Sequence, residues 1–380
     1  MRKKGLMINS GMAASAPVTQ TFRFHSLALP HTVSSPEYNA CAYTQKIVKF
    51  HRMMMPRGYT LIHYGHEESD LPATEHVVVT DNAVLRQAYG DHDWRRHEFK
   101  HNTGDFANQE FIRRTIPEVL KRAQRGDFLL CWWGIGHKAI ADAVASLGVI
   151  AVEPGIGYTS GHFSQWRAYE SHAVRNTVEG SVTPQRWYSH VIPNYFDPTE
   201  FTYREEKEPW ILYLGRVVQC KGVVTCIQAA AAAGVNIKVA GQGRLTDIGY
   251  AETPAHVEQL GYANVEMRRD LMSRASALII ASQYNEPFGG VQVEALLSGT
   301  PIITPFFGAF AEVNQDGVTG FHCHTLREFK NAIEKRDTIS PRACRERGMQ
   351  YSLEAVAPLF ERWFANIAEV YSGKGWMATD

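Results

Sequence analysis

The sequence has 380 residues with 39 Lys and Arg against 39 Asp and Glu, 44% hydrophobic residues, 30 Gly and 17 Pro, values that exclude a disordered chain, a collagen and a coiled coil. At about 150 residues per domain the length predicts two domains, each able to bury a core, with function sought in the cleft between them. Zero formal charge gives no global field for nucleic acid or an anionic membrane, although residues 1–125 hold 17 Lys and Arg, 12 Asp and Glu and 9 of the 16 His.

Residues 1–19 read as a disordered extension. Their basic start and small residues faintly resemble a signal peptide, but Asn9, Ser10 and Gly11 interrupt the apolar stretch. From residue 20 to 197, strands are predicted at 22–29, 60–65 and 75–80, a helix from Ala42 to Met55 stopped by Gly58, and a helix then strand over 117–134. Alternating helices and strands mean parallel α/β layers. The turn-rich VIPNYFDPTEF (191–201) and charged TYREEKEP (202–209) read as a linker to a second α/β domain over 205–352. Its strands are 210–215, 236–241, 277–282 and 301–305, and its helices 223–234 and 291–299 each close on Gly. Residues 353–380 hold an amphipathic helix with Val356, Leu359, Phe360, Trp363, Phe364, Ile367 and Val370 on one side. No run of 18 apolar residues occurs, so no membrane-spanning helix is predicted. The six Cys are scattered without a C-x-x-C pair, which suggests reduced cytoplasmic thiols and neither a zinc knuckle nor a disulfide framework.

The chemistry concentrates where strands of the second half end: Gly215-Arg216, Gly241-Gln-Gly243, and Ser282 through Glu286-Pro-Phe288-Gly289-Gly290-Val291. Ligands of open parallel sheets bind outside the carboxyl ends of the strands, so these groups are expected in one crevice. Gly289 and Gly290 at a helix start leave amides for oxygen-rich ligands. Arg216 and Lys221 offer charge to a phosphate, and Glu286 and Glu294 accept hydrogen bonds from sugar hydroxyls. Phosphate and polyol together suggest a nucleotide sugar.

ILYLGRVVQCKGV, VAGQG and EPFGGVQVEALLSGTPIITPFFGAFAEVNQDGVTGF, with Glu286 and Glu294 separated by seven residues, resemble the donor-binding half of family 4 glycosyltransferases. VIPNYFDPTEF is similar to that family's inter-domain segment, through Asn194, Asp197 and Phe201. The resemblance implies a GT-B fold, two Rossmann-like doubly wound parallel-sheet domains facing across a cleft, and retaining transfer without a metal or other cofactor. It implies that Arg216 and Lys221 bind the donor diphosphate, Glu286 lies against the transferred sugar, Glu294 binds the ribose hydroxyls, and Gly289 and Gly290 present amides to sugar and phosphate. Gly215, Gly241, Gly243, Phe288 and Val291 complete the implied donor side, and the tail helix crosses back to the first domain.

The first half matches less closely. Where family members carry a His near the reacting sugar, VIAVEPGIGY places Glu153. Glu153 is expected either to stabilise the sugar cation or to act as a base, with His137 and His162 as alternatives; a packed or capping His137 is the other reading of that residue. Tyr158, His162, Arg95 and Arg96 are taken as the acceptor side. EPGIGY, YESHA and VIPNYFDP together resemble a largely uncharacterised bacterial and bacteriophage subgroup, which would work in the cytoplasm of the cell or host. Two acceptor classes stay open: a glycan, lipid-linked or small-molecule hydroxyl, and phage DNA carrying a hydroxymethyl pyrimidine, for which the basic and aromatic WRRHEFKH (94–101) would supply contacts. A nucleotide-sugar epimerase and a non-catalytic binding protein are the readings outside transferases.

Overall fold

The computed structural model describes residues 21–95, 97, 101–180 and 188–371. The expectations for residues 1–19, for Arg96 and for the last residues of the tail lie outside the described residues.

The first sheet holds β1 (Arg23–Leu27), β2 (Thr60–His66), β3 (Glu75–Thr80), β4 (Phe128–Leu130), β5 (Ile150–Ile156), β6 (Arg167–Tyr169) and β7 (Ser189–Val191), in the order β3-β2-β1-β4-β5-β6-β7. Its helices are α1 (Ala42–Met54), α2 (Asn82–Tyr89), α3 (Phe106–Arg122), α4 (Lys138–Val144) and α5 (His172–Glu179). The second sheet holds β8 (Ile211–Leu214), β9 (Ile237–Ala240), β10 (Val257–Gly261), β11 (Leu278–Ile279), β12 (Ile302–Pro305) and β13 (Gly320–Cys323), in the order β10-β9-β8-β11-β12-β13. With it come α6 (Val223–Ala233), α7 (Val265–Arg274), α8 (Gly290–Leu297), α9 (Phe310–Val313), α10 (Leu326–Lys335) and α11 (Pro341–Met349), and then α12 (Leu353–Glu369).

Every pairing in both sheets is parallel. The strands are fully apolar where both faces are covered, as in ILYL of β8 and FLL of β4. Each strand order reverses once, between β1 and β4 in the first sheet and between β8 and β11 in the second. These reversals open a crevice at the carboxyl ends of the strands.

The helix α12 follows the second sheet in sequence but packs into the first domain. Val356, Phe360, Trp363, Phe364 and Ile367 share one apolar cluster with Phe24, Phe50, Phe128 and Trp132. The two chain crossings lie side by side: Phe196 N–H donates to Tyr351 O and Leu353 N–H to Phe196 O, each at 2.9 Å. No helix among the described residues is long and apolar enough to cross a membrane, and all six cysteines are free thiols.

Two consequences of this packing are measurable. Phe364 is fully buried, so Phe364→Ala should cost about 3–5 kcal/mol, read as a lower urea midpoint. His51 and His137 are also fully buried, and burial lowers their pKa values to about 4 and about 3. The unfolded chain takes up these protons below about 6.5 and the folded chain does not. Stability is therefore full above pH 6.5 and falls as acid is added, by about 2 kcal/mol per histidine at pH 5. Thermal melts at pH 7 and pH 5 should show the loss, and replacing His51 with Phe should reduce it.

Candidate active site

The reversal between β8 and β11 gathers the predicted donor residues. The loop after β8 carries Gly215, Arg216 and Lys221, and the loop after β11 carries Ser282, Tyr284 and Glu286. Lys221 Nζ donates to both Glu286 Oε1 and Tyr284 Oη, and its ammonium also lies 4.8 Å from the Tyr284 ring centroid. Ser282 Oγ donates to the same Glu286 oxygen at 2.9 Å. Glu286 is buried, so a carboxylate taken out of water here is held by an ammonium and a hydroxyl, which offsets its desolvation. Arg216 is exposed on the neighbouring loop.

Two glycines explain the backbone around this pair. Gly241 has φ +145° and its missing Cβ would sit 1.8 Å from Gly215 O, so any side chain would force the loops after β8 and β9 apart. Gly243 likewise turns against Val217. The loop role of both glycines accounts for them structurally. Gly289, with φ +70°, is the N-cap of α8, whose Gly290 and Val291 amides come before the first i to i−4 bond of the helix. The macrodipole adds partial positive charge at that end. Phe288 is buried and stacks on Phe196, ring centroids 6.3 Å apart, so it anchors the loop in the core. Glu294, one turn into α8, is paired with Arg268 of α7, a partner the sequence reading did not supply.

The first domain brings a different set to the cleft from the one predicted. Glu153 is fully enclosed. Its carboxylate accepts from Tyr158 Oη (3.0 Å), Phe163 N–H (3.1 Å) and Ser164 N–H (2.9 Å), and lies 3.7 Å from Arg167 Nε. Burial raises its pKa, partly countered by these donors. The expectation that Glu153 faces the reacting sugar is corrected: it holds the 158–164 loop in place. His137 is corrected as well. Its Nδ1 accepts from Trp133 N–H, its Nε2 bonds Ala28 O at 3.1 Å, and its ring stacks on Phe111, so it is the packed histidine of the alternative reading. His162 stacks on Tyr158 at 4.8 Å, beside the Glu153 network. Arg95 lies over the Trp94 ring.

Lys46, Glu170 and Asn194 form the polar centre of the first domain's cleft side. Lys46 Nζ donates to Glu170 and, at 3.1 Å, to Gly155 O; Asn194 Nδ2 donates to Glu170 Oε2 at 3.0 Å. Gly155 belongs to a register shift of β5 against β6 between Glu153 and Ile156, and such bulges re-aim backbone groups beside sites. Gly157, next along, lies against both Glu170 and Pro287 of the loop after β11, which brings the ion pair beside Glu286. Sequence reasoning missed Lys46 and Glu170 because they come from α1 and from the end of β6, without a shared motif.

Several bonds cross the cleft. Glu312 of α9 accepts from His172 N–H (3.0 Å) and Ala173 N–H (2.8 Å), the first turn of α5, where a carboxylate also meets the helix dipole favourably. Asn285 Nδ2 donates to Thr177 Oγ1 at 2.9 Å. At another place Tyr262 Oη donates to Asn39 Oδ1 at 2.6 Å, and Gln242 Nε2 donates to Trp94 O.

Comparison with known proteins bears on the fold and on the second domain. The model of the family "Glycosyl transferases group 1" matches residues 199–350. A glycogen synthase of Mycobacterium tuberculosis is 28% identical over 226 residues, half of this chain and 54% of the relative. An uncharacterized glycosyltransferase of Methanocaldococcus jannaschii is 31% identical over 172 residues, 39% of this chain and 42% of that one. The chain thus spans about half the length of the curated relatives it matches. Among solved structures, AviGT4, a glycosyltransferase involved in avilamycin A biosynthesis, superposes with a TM-score of 0.68 at 19% identity, covering 92% of this chain and 98% of that one. Anabaena HepE in complex with UDP and glucose gives 0.63 at 14% identity, covering 91% and 100%. Residues 199–350 are thus similar to the glycosyl transferases group 1 family, within a chain whose two Rossmann-like domains have the GT-B fold.

Proposed function

We propose that this chain is a retaining glycosyltransferase that moves a sugar from a UDP-sugar to an acceptor hydroxyl, with charge at the leaving diphosphate supplied by the protein and no metal. The observation that carries the reading is the convergence of Lys221, Ser282, Tyr284 and Glu286 at the open end of α8. The diphosphate would take Arg216, Lys221 and the α8 amides, drawing Lys221 from Glu286. Glu286 is then available to a sugar hydroxyl, and Glu294 to the ribose. UDP is the leaving nucleotide suggested by the neighbours that were solved with UDP.

In this reading the bond between the anomeric carbon and the β-phosphate oxygen breaks with its electron pair going to the phosphate. The acceptor oxygen bonds to the same face of the anomeric carbon, and its proton passes to the departing phosphate. Fixed cations and helix amides lower the barrier because they need no reorganisation as negative charge develops. Contacts across the cleft keep out the water that would hydrolyse the donor.

The charge distribution favours a glycan or small-molecule acceptor over DNA. Among the described residues, six arginines of the first domain are held in ion pairs: Arg23 with Asp127, Arg52 with Glu200, Arg57 with Glu361, Arg113 with Glu110, Arg114 with Asp81 and Arg122 with Glu75. Each such pairing lowers the charge that arginine offers a phosphate backbone.

Incubating the purified protein with UDP-sugars and separate acceptor pools, methyl glycosides and 5-hydroxymethylcytosine DNA, tests the proposal by mass spectrometry. UDP release with a glycoside heavier by one sugar is expected, and the product's anomeric configuration should match the donor's. Sugar interconversion without acceptor, or no turnover of any donor, would overturn the assignment. Lys221→Ala and Glu286→Ala should each lower kcat by about 10²-fold or more while the melting temperature stays near that of the parent; normal turnover in either would sink the site.

A further inference from the structure

We propose that Glu170 is a positioning residue for the transfer step: with Lys46 and Asn194 it sets how the 155–158 loop meets the Glu286-Pro287 loop, and so how an acceptor hydroxyl meets the donor's anomeric carbon. The inference rests on the transferase reading for its kinetic consequence. Three stretches of the sequence, EPGIGY (153–158), YESHA (169–173) and VIPNYFDP (191–198), stand apart in the chain. In the structure they meet at the Glu170 carboxylate.

Each stretch contributes contacts. From the first, Ile156 O accepts from Glu170 N–H at 3.1 Å, and Gly155 O accepts from Lys46 Nζ at 3.1 Å. A Cβ on Gly157 would overlap Glu170 Oε1 and stand 3.1 Å from Pro287 Cβ, so glycine lets the carboxylate and the second domain approach this backbone together. From the last, Asn194 Nδ2 donates to Glu170 Oε2 at 3.0 Å, and Tyr195 Oη donates to Lys46 O at 3.0 Å. The chain crossing between the domains is therefore tied both to Glu170 and to the helix that carries its ammonium partner. Within YESHA, Ser171 Oγ caps α5 by accepting from Val174 N–H at 3.1 Å, and the next two amides bond Glu312 of the second domain. One carboxylate thus stands between the bulged loop, the crossing and the helix start that reaches across the cleft.

Lys46 and Glu170 are both buried. The ammonium lies over the Tyr43 ring, 4.0 Å from its centroid, and donates to Glu170 and Gly155 O. In a dry site such bonds are strong when every partner is present and costly when one is removed, so the network favours a single arrangement of the loop. A displacement of about 1 Å between reacting groups is worth about 10²-fold in rate. Arg216, Lys221 and the α8 amides, which take the donor in this reading, all belong to the second domain. Loss of Glu170 should therefore spare donor binding and slow transfer.

The test uses the full chain with Glu170→Gln, Asn194→Ala and the double variant Lys46→Met/Glu170→Leu. Glu170→Gln leaves Lys46 without a counter-charge, and Asn194→Ala removes one bond from the carboxylate. The double variant replaces the pair with apolar side chains, a change that restores stability at many buried pairs. Transfer from UDP-glucose and UDP-N-acetylglucosamine to methyl glycosides is followed by mass spectrometry, with free sugar counted as hydrolysis and UDP binding read by calorimetry. In Glu170→Gln, kcat should fall about tenfold or more with KM for the UDP-sugar within about twofold of the parent, and hydrolysis should take a larger share. Asn194→Ala should move the same way by less. The double variant should regain the parent's melting temperature and not its kcat; recovery of both would make the pair merely structural and overturn the proposal. An unchanged kcat in Glu170→Gln, or UDP binding weakened as much as kcat, would also overturn it. Hydrogen exchange over 155–158 and 285–288, measured without substrates, should be faster in Glu170→Gln than in the parent, and equal exchange would overturn the lock. Absence of UDP binding and of turnover in the parent would overturn the transferase reading, and the exchange result then judges the lock by itself.

Discussion

Phe364 sits with its ring centroid 4.7 Å from Phe24 and 4.9 Å from Phe128, and Phe360 lies 5.3 Å from Phe50. This aromatic seam joins a helix from the far end of the chain to the first sheet. Burying rings of this size contributes several kcal/mol each, so the seam is a principal part of the first domain's core. It also fixes the domains, because the outgoing crossing at Phe196 and the incoming one at Tyr351 to Leu353 are bonded to each other. Cleft geometry follows: a loop after β11 can meet the 155–158 loop only if the crossings hold the two sheets' carboxyl ends toward one another.

Within that frame, electrostatics differ between the two sides of the cleft. The second domain keeps its charges partly accessible, with Lys221 at 21% side-chain exposure against Glu286 at 9%. The first domain buries its pair, Lys46 with Glu170, at 5% and 6%. A partly wet pair can exchange its partner for a ligand at modest cost, whereas breaking a dry one leaves an uncompensated buried charge. Lys221 and Glu286 are thus suited to opening around a substrate. Lys46 and Glu170 are suited to staying shut and holding the loop that touches Pro287.

The second domain was legible because its site is written in contiguous stretches: each loop after a strand carries glycine and a charged group, and a parallel sheet brings such loops together. Gly58, Gly234 and Gly289 marked helix ends that the structure has at those places. The first domain was less legible. His137 follows β4 and Glu153 lies within β5, but tertiary partners from the 158–164 loop and from Ala28 enclose them. Nothing local distinguishes a buried carboxylate bonded to amides from one aimed at a ligand. Lys46, Glu170 and Asn194 meet only through three-dimensional folding, and a cavity beside Trp94 is built from three separate segments, 31–38, Glu68 and 82–95. The Lys and Arg excess of residues 1–125 read first as a mixed solvated surface and second as a surface for an anionic partner, and sequence could not show that several of these arginines pair with acids of remote elements.

The seam also sets an order on biosynthesis. Residues 353–369 leave the ribosome last among the described elements, more than 150 residues after β7, which at about 5–20 residues per second is an interval on the order of ten seconds. During that interval the aromatic face of the first sheet has no cover, while the second domain, whose strands and helices are closer together in sequence, can complete itself. The half encoded first is therefore the half finished last. The nascent chain spends that time with this apolar surface exposed, and the second domain is folded before the cleft exists.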